Sequence, residues 1–335
     1  MIRFAWIRFR TQAAVGAGML TIAAIALLVT GIQLAHAYDD DAAVCKQQGD
    51  CARLFNVFLT QGYFTAGKLL GAVGLAVPGL IGMFWGAPLV ARELETGTFR
   101  LAWTQGVTRT RWLAAKFAIA GVAAIAAGEL FTLMVNWWSN PIHKASAGYT
   151  AFTSGSFHSG VAPAGYAAFA FALGVTAGLL IRRTLPAMAV TLAIFAAVII
   201  TFPIWVRPHL IPPARTTSAL SLASVAVTGS TPDGHLILTT DTATGLPGAW
   251  VISSQVTAPD GRAASTEPAG PCGASSTQAC NNYIESLHLR QTVTYEPASR
   301  YWAFQWVETA IYLALALALA GLCLWWIRPP LLRGT

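Results

Sequence analysis

The sequence predicts an all-α polytopic membrane protein. It has six transmembrane helices, both termini on the inside, and a small irregular, partly β, extracytoplasmic segment before the last helix. Three observations carry this. Only 10% of the 335 residues are charged, where a soluble domain has about 25%. Six apolar runs reach the roughly 20 residues needed to cross a hydrocarbon core. Arginine and lysine gather on alternate connections between those runs.

The runs fall at about 12–35, 69–91, 117–138, 162–181, 185–206 and 302–327. The bilayer interior offers no water to the backbone, so each run closes its own hydrogen bonds as a helix. The first run leads into Leu34-Ala-His-Ala37, an A-x-A pattern of the kind a signal peptidase cuts. Its apolar length of about 24 residues exceeds the roughly 7–15 of a cleaved signal, so it reads as a retained anchor.

An inside N-terminus places Arg3, Arg8, Arg10, Arg92, Arg100, Arg109, Arg111, Lys116, Arg182, Arg183, Arg328 and Arg333 inside, with only Glu93 and Glu95 as acids. The other nine cations lie outside among ten acids, and Glu129 and Glu308 fall within spans. The inner side thus carries a net charge of +10 out of a chain total of +7, so the expected neighbour is membrane lipid and not nucleic acid. Arginine in excess of lysine, with abundant alanine, suits a GC-rich bacterial genome and a bacterial plasma membrane.

Residues 1–206 hold the first five helices with an inner loop at 92–116, residues 207–301 form the outer segment, and 302–335 hold the last helix and tail. Within the outer segment "HLILTT" and "AWVISSQVT" are β-prone, whereas Arg215–Ser221 reads equally as loop. Residues 54–68 are aromatic and weakly amphipathic, and either extend the second helix or lie in the interface. Four cysteines fall outside, where disulfides persist. Local pairing closes the shortest loops, giving Cys45–Cys51 and Cys272–Cys280. Free thiols or one bridge between the two segments stay open. No zinc-type spacing is present.

The stretch Arg92–Lys116, "RELETGTFRLAWTQGVTRTRWLAAK", sits between two oily runs. Cations that set topology explain its arginines. They do not explain Glu93 and Glu95, or the buriable Phe99, Leu101 and Trp103. A short helix capped by Thr96 or Thr98, ended by Gly106, with Thr108 capping the next, would present an apolar face to a partner.

That stretch resembles the motif of ATP-binding-cassette export permeases of the type V class, the ABC-2 membrane family. The Arg-Glu pair falls on Arg92 and Glu93. The Gly-Thr falls on Gly97 and Thr98, and the leucine on Leu101. The Ser/Thr-Arg falls on Thr108 and Arg109, and the closing lysine on Lys116. "TQGVTR" lacks the proline many members carry there. "PASRYWAFQW", Pro297–Trp306, resembles a variant of the family's entry to the last span. The resemblance implies that Glu93, Glu95, Gly97, Thr98, Arg109, Arg111 and Lys116 couple the chain to a separate ATPase, which would hold ATP and Mg²⁺. It also implies a dimer of permeases, homomeric or with a related chain, and export by alternating access. The chain itself carries no cofactor by this reading. Its only "GK", Gly67–Lys68, precedes leucine, so no nucleotide phosphate loop is encoded.

Glu129, mid-way along the third span, costs at least about 2.5–3.5 kcal/mol if charged at the bilayer centre. It is therefore protonated, paired, hydrogen-bonded to Asn136 or a hydroxyl, or part of a path. Glu308 lies about two turns into the last span. Gly67-x₃-Gly71, Gly82-x₃-Gly86 and Gly174-x₃-Gly178 allow close helix approach, within one subunit or at a dimer seam. Pro78, Pro88, Pro186 and Pro203 kink or cap helices. Trp137, Trp138, Trp205, Trp302, Trp325 and Trp326 sit at span ends as interfacial anchors do. A membrane enzyme for lipid-linked substrates would need a carboxylate or histidine set at the outer span ends, which is not evident. A non-transporting sensor or immunity protein remains as the other class.

Overall fold

A computed structural model describes residues 2–48, 51–97, 108–145, 152, 160–219, 225–230, 235–240, 246, 248–260, 262, 264, 266–268 and 277–327. They form two compact units: a helical one (1–147, 154–207 and 302–335) and a smaller one (148–153 and 208–301).

The helical unit begins with α1, Ile2–Gln48. It runs well past residue 35, where the apolar stretch ends and an outer segment was expected. Hydropathy reports membrane thickness rather than helix length, and the polar extension has its own packing. Tyr38 stacks on Phe55, 5.6 Å away, and meets the fully buried Phe58 edge-on. Both partners lie on α2, Cys51–Phe58, which a disulfide between Cys45 and Cys51 ties to α1. Residues 54–68 therefore do not simply extend the second span. The chain breaks at Gly62, where φ is +93°, in a wide turn at Leu59–Tyr63.

The second span is α3, Phe64–Ile81, a π-turn at Gly82–Gly86, and α4, Ala87–Glu95. Pro78 lies inside α3 and Pro88 in the first turn of α4. The third span is α5, Arg109–Ala145; the fourth is α6, Ala162–Ile181; the fifth starts as α7, Thr184–Thr201, and ends in a π-turn and a 3₁₀ turn at Arg207–His209. All six spans are long and apolar enough to cross a membrane, the last from Ala298 to Trp326.

The fourth span is the centre of this unit. It is apolar all round, and 83% of its apolar window is buried, against 11% for the first span. Glycine explains how neighbours reach it. A β-carbon at Gly82 would strike the Ala170 carbonyl, and one at Gly86 the Phe171 carbonyl. At Gly174 it would strike the Gly82 carbonyl, and at Gly178 the Ala87 carbonyl. Two of the three small-residue pairs in the sequence thus face each other inside one chain and bring two backbones into contact. Gly67, from the third pair, lies against Ile142 of α5.

The first span packs mainly on α5, through Leu27 and Leu34 against Phe131, Val135 and Trp138. Trp138 is buried and donates from Nε1 to Thr30 Oγ1 at 3.0 Å, so it joins helices and does not anchor them in the interface. Trp137, Trp205, Trp302 and Trp325 are exposed at helix ends as expected.

The smaller unit holds two three-stranded antiparallel sheets. In one, β6 (Arg290–Glu296) lies between β1 (Ala214–Ala219) and β4 (Trp250–Thr257); in the other, β3 (His235–Thr240) lies between β2 (Val225–Ser230) and β5 (Thr266–Pro268). Residues 214–219 are thus strand and not loop. Pairing with β6, some 75 residues away, decides what local propensity left open. A short helix, α8, Thr277–Ser286, precedes β6. Phe152 stacks on Trp250 at 6.0 Å, and Arg300 bridges the buried Glu296 and the Pro212 carbonyl. The helix of the last span, α9, is Tyr301–Trp326.

Candidate functional site

The stretch expected as a loop at 92–116 is shorter than that. Helix α4 carries it to Glu95, and α5 resumes at Arg109. Only 96–108 connect the helices, and residues 98–107 lie outside the described ones, including Thr98 and the expected short helix around Phe99, Leu101 and Trp103. Charged residues at a helix end still satisfy their backbone within the helix, which a charge count does not reveal.

Thr96 closes α4 instead of opening another helix. Its N–H and Oγ1 both donate to the Arg92 carbonyl, at 3.0 and 2.8 Å. Gly97 follows at φ +72°, the left-handed region that ends helices. The Thr108 carbonyl accepts the first bond of α5, from Trp112 N–H.

Two of the predicted residues meet directly. Lys116 Nζ lies 2.6 Å from Glu93 Oε1, with the lysine side chain 5% and the glutamate 16% exposed. The ammonium also donates to the Leu89 carbonyl at 3.3 Å and sits 4.3 Å from the Trp112 ring centroid. The cation is buried against its own chain. Glu95 turns to a third helix. Its Oε2 accepts from Thr184 N–H at 3.1 Å and from Thr184 Oγ1 at 2.7 Å, so it caps the N-terminus of α7, where a carboxylate suits the helix dipole. Arg182, at φ +59°, ends α6 and makes the tight reversal that brings Thr184 into place. One helix end, Glu93–Glu95, thus ties together the second, third and fifth spans. Arg111 is exposed, and Arg109 is half-buried at the start of α5.

At the opposite ends of the fifth and sixth spans lies a constellation the sequence did not reveal. Arg207 donates from Nε to Glu308 Oε2 at 3.0 Å and from Nη2 to Glu308 Oε1 at 2.8 Å. Tyr166 donates its hydroxyl to the same Oε1 at 2.5 Å. All three are buried. Glu308 is therefore partnered, by an arginine that hydropathy had assigned to the outer segment because the apolar run stops at Val206. An arginine directly after an apolar run was the available signal. Beside it, Gln305 Oε1 accepts from Ala162 N–H and so caps α6.

Glu129 makes no hydrogen bond from Oε2 among the described residues, and the expected partner Asn136 is not in contact with it through one. Cys272 and the Cys280 side chain lie outside the described residues. No group of three His, Cys, Asp or Glu side chains gathers among those described as a metal site requires.

No curated protein and no solved structure matches the chain. The family model described as "ABC-2 membrane transporter related" matches residues 17–207, which is more than half of the chain and includes the Glu93–Lys116 pair and most of the first five spans. The chain belongs to the ABC-2 membrane transporter related family.

Proposed function

We propose that this membrane transporter component is the transmembrane permease subunit of an ATP-driven exporter in a bacterial plasma membrane. A separate ATPase, holding ATP and Mg²⁺, docks on the connection between the second and third spans. The chain itself does no catalysis, and it works with a second copy or a related permease. The observation that supports this reading is the tie at that connection. Glu93 holds Lys116 and Glu95 holds Thr184, so force applied between α4 and α5 is passed to three spans at once. Such a junction suits a part that converts a partner's closure into helix movement. The disulfide at the other end of the first span fits an outer face there, because such bonds persist in oxidising compartments.

The test separates docking from folding. Glu93 and Lys116 are poor probes because their pair is buried, so Arg111, which is exposed, is the one to reverse. Affinity-tagged chain from its host membrane should bring down an ABC ATPase, and Arg111→Glu should cut that yield at least tenfold with unchanged melting. A cysteine placed at Thr104 should react with maleimide only after the membrane is made permeable. Labelling of intact cells at Thr104, or wild-type membranes that yield no ATPase, would overturn the reading.

A further inference from the structure

The helical unit contains a cleft of about 1120 Å³ between α1 and the second span, with Ala127 and Phe131 of α5 at its floor. Its walls are apolar over most of their length: Val15, Met19 and Leu20 on one side, Val77, Leu80 and Phe84 on the other. One end is polar. Thr11 and Gln12 of α1 face Arg92, Glu95 and Thr96 there. From Thr11 to Ala23 the cleft follows 12 helical steps, about 18 Å at 1.5 Å each. That is close to the depth of one leaflet, about half of a 30 Å hydrocarbon core.

We infer that this cleft is a binding site for one zwitterionic phospholipid with a primary ammonium headgroup. The dimensions select a lipid: apolar walls one leaflet deep, with the polar end at the level where a span leaves the membrane. The charges select the headgroup. Arg92 and Glu95 are three residues apart on α4 and so share a face. Arg92 has no carboxylate within ion-pair distance among the described residues, and Glu95, which also lines the cleft, uses Oε2 for Thr184 and keeps Oε1 for a ligand. A guanidinium matches the phosphate, with Thr11 and Gln12 as further donors. A carboxylate about one turn away matches an ammonium that can donate hydrogen bonds. A purely anionic headgroup would meet Glu95 unfavourably, and a quaternary amine has no proton to give it. The site does not depend on the ATPase.

The test is native mass spectrometry of the full chain in detergent, titrated with phosphatidylethanolamine, phosphatidylcholine or phosphatidylglycerol of identical acyl chains. The expected result is one tightly retained phosphatidylethanolamine per chain, held at least fivefold better than either of the others. Arg92→Gln should weaken retention of phosphatidylethanolamine about tenfold. Glu95→Gln keeps an acceptor for Thr184 and should erase the preference over phosphatidylcholine and phosphatidylglycerol. Leu80→Trp, which fills the cleft from its apolar wall, should abolish retention of all three while the melting temperature of the chain holds. Equal retention of the three lipids by the wild type, or retention unchanged in Leu80→Trp, would overturn the assignment.

Discussion

Replacing Glu93 by alanine tests the junction most directly. It removes the carboxylate and leaves the Lys116 ammonium, 5% exposed, beside the Leu89 carbonyl and the Trp112 ring. Breaking a buried pair by deleting one partner costs about 3–5 kcal/mol. Each of these contacts retains about 1–2 kcal/mol, which puts Glu93→Ala at the low end, about 3 kcal/mol. Lys116→Met is milder. It leaves Glu93, which at 16% exposure and at a helix end can regain water, so about 1.5 kcal/mol is expected. The double variant buries no charge and should also cost about 1.5 kcal/mol. The coupling is then about 3 kcal/mol, roughly a hundredfold in the unfolding equilibrium. Reversible unfolding by dodecyl sulfate in mixed micelles, followed by far-ultraviolet circular dichroism, supplies the four free energies. Because the pair is buried, the coupling should persist from 0.1 to 1 M salt. A coupling below about 0.5 kcal/mol, or one that disappears at high salt, would show an ordinary solvated pair and refute the reasoning.

Gly174→Ala should destabilise by about 3 kcal/mol in the same assay, because its β-carbon meets backbone atoms of Gly82 and Ala87 that cannot rotate aside. Gly18→Ala and Gly321→Ala, with nothing within 4 Å, should fall within about 0.5 kcal/mol of wild type. Arg207→Met leaves Glu308 buried without its cation, hydrogen-bonded still by Tyr166, and should cost about 3 kcal/mol, part of which Arg207→Met with Glu308→Leu should restore. Reducing the Cys45–Cys51 bridge should cost about 2 kcal/mol, the value for a short loop, and add two thiols to a maleimide mass count in the unfolded chain.

What the sequence made legible is what the bilayer imposes. A span needs length and apolarity, and both are local, so all six were readable. Helix ends beyond the membrane were not. The α1 extension through Asp39–Asp41 is held by Tyr38 on Phe55, and the ends of α4 and α5 are held by Glu93, Glu95 and Lys116. The partner in each case lies outside any hydropathy window. The glycine pairs were visible as spacing, but that Gly82 and Gly86 would meet Gly174 and Gly178 depends on which helices are neighbours. The Arg207–Glu308 pair spans 101 residues of chain and the β1–β6 pairing about 75, so neither could be read locally.

These contacts also determine where the helical unit can move. Between the second and fourth spans, backbone meets backbone, with no side chain to change rotamer and take up a shift. Sliding one past the other would drive the Gly82 and Ala87 carbonyls into α-carbons, so the two spans move as one body. The fifth span is pinned to that body at one end by Glu95 and to the sixth at the other by Glu308. The first span is held differently. Its contacts to α5 are side chains that can repack, such as Leu27, Leu34 and the Trp138–Thr30 bond, and on its other side lies the open cleft. If an ATPase docks as proposed, movement passed in at Glu93 meets least resistance between the first and second spans, where a molecule in the cleft would be squeezed or released.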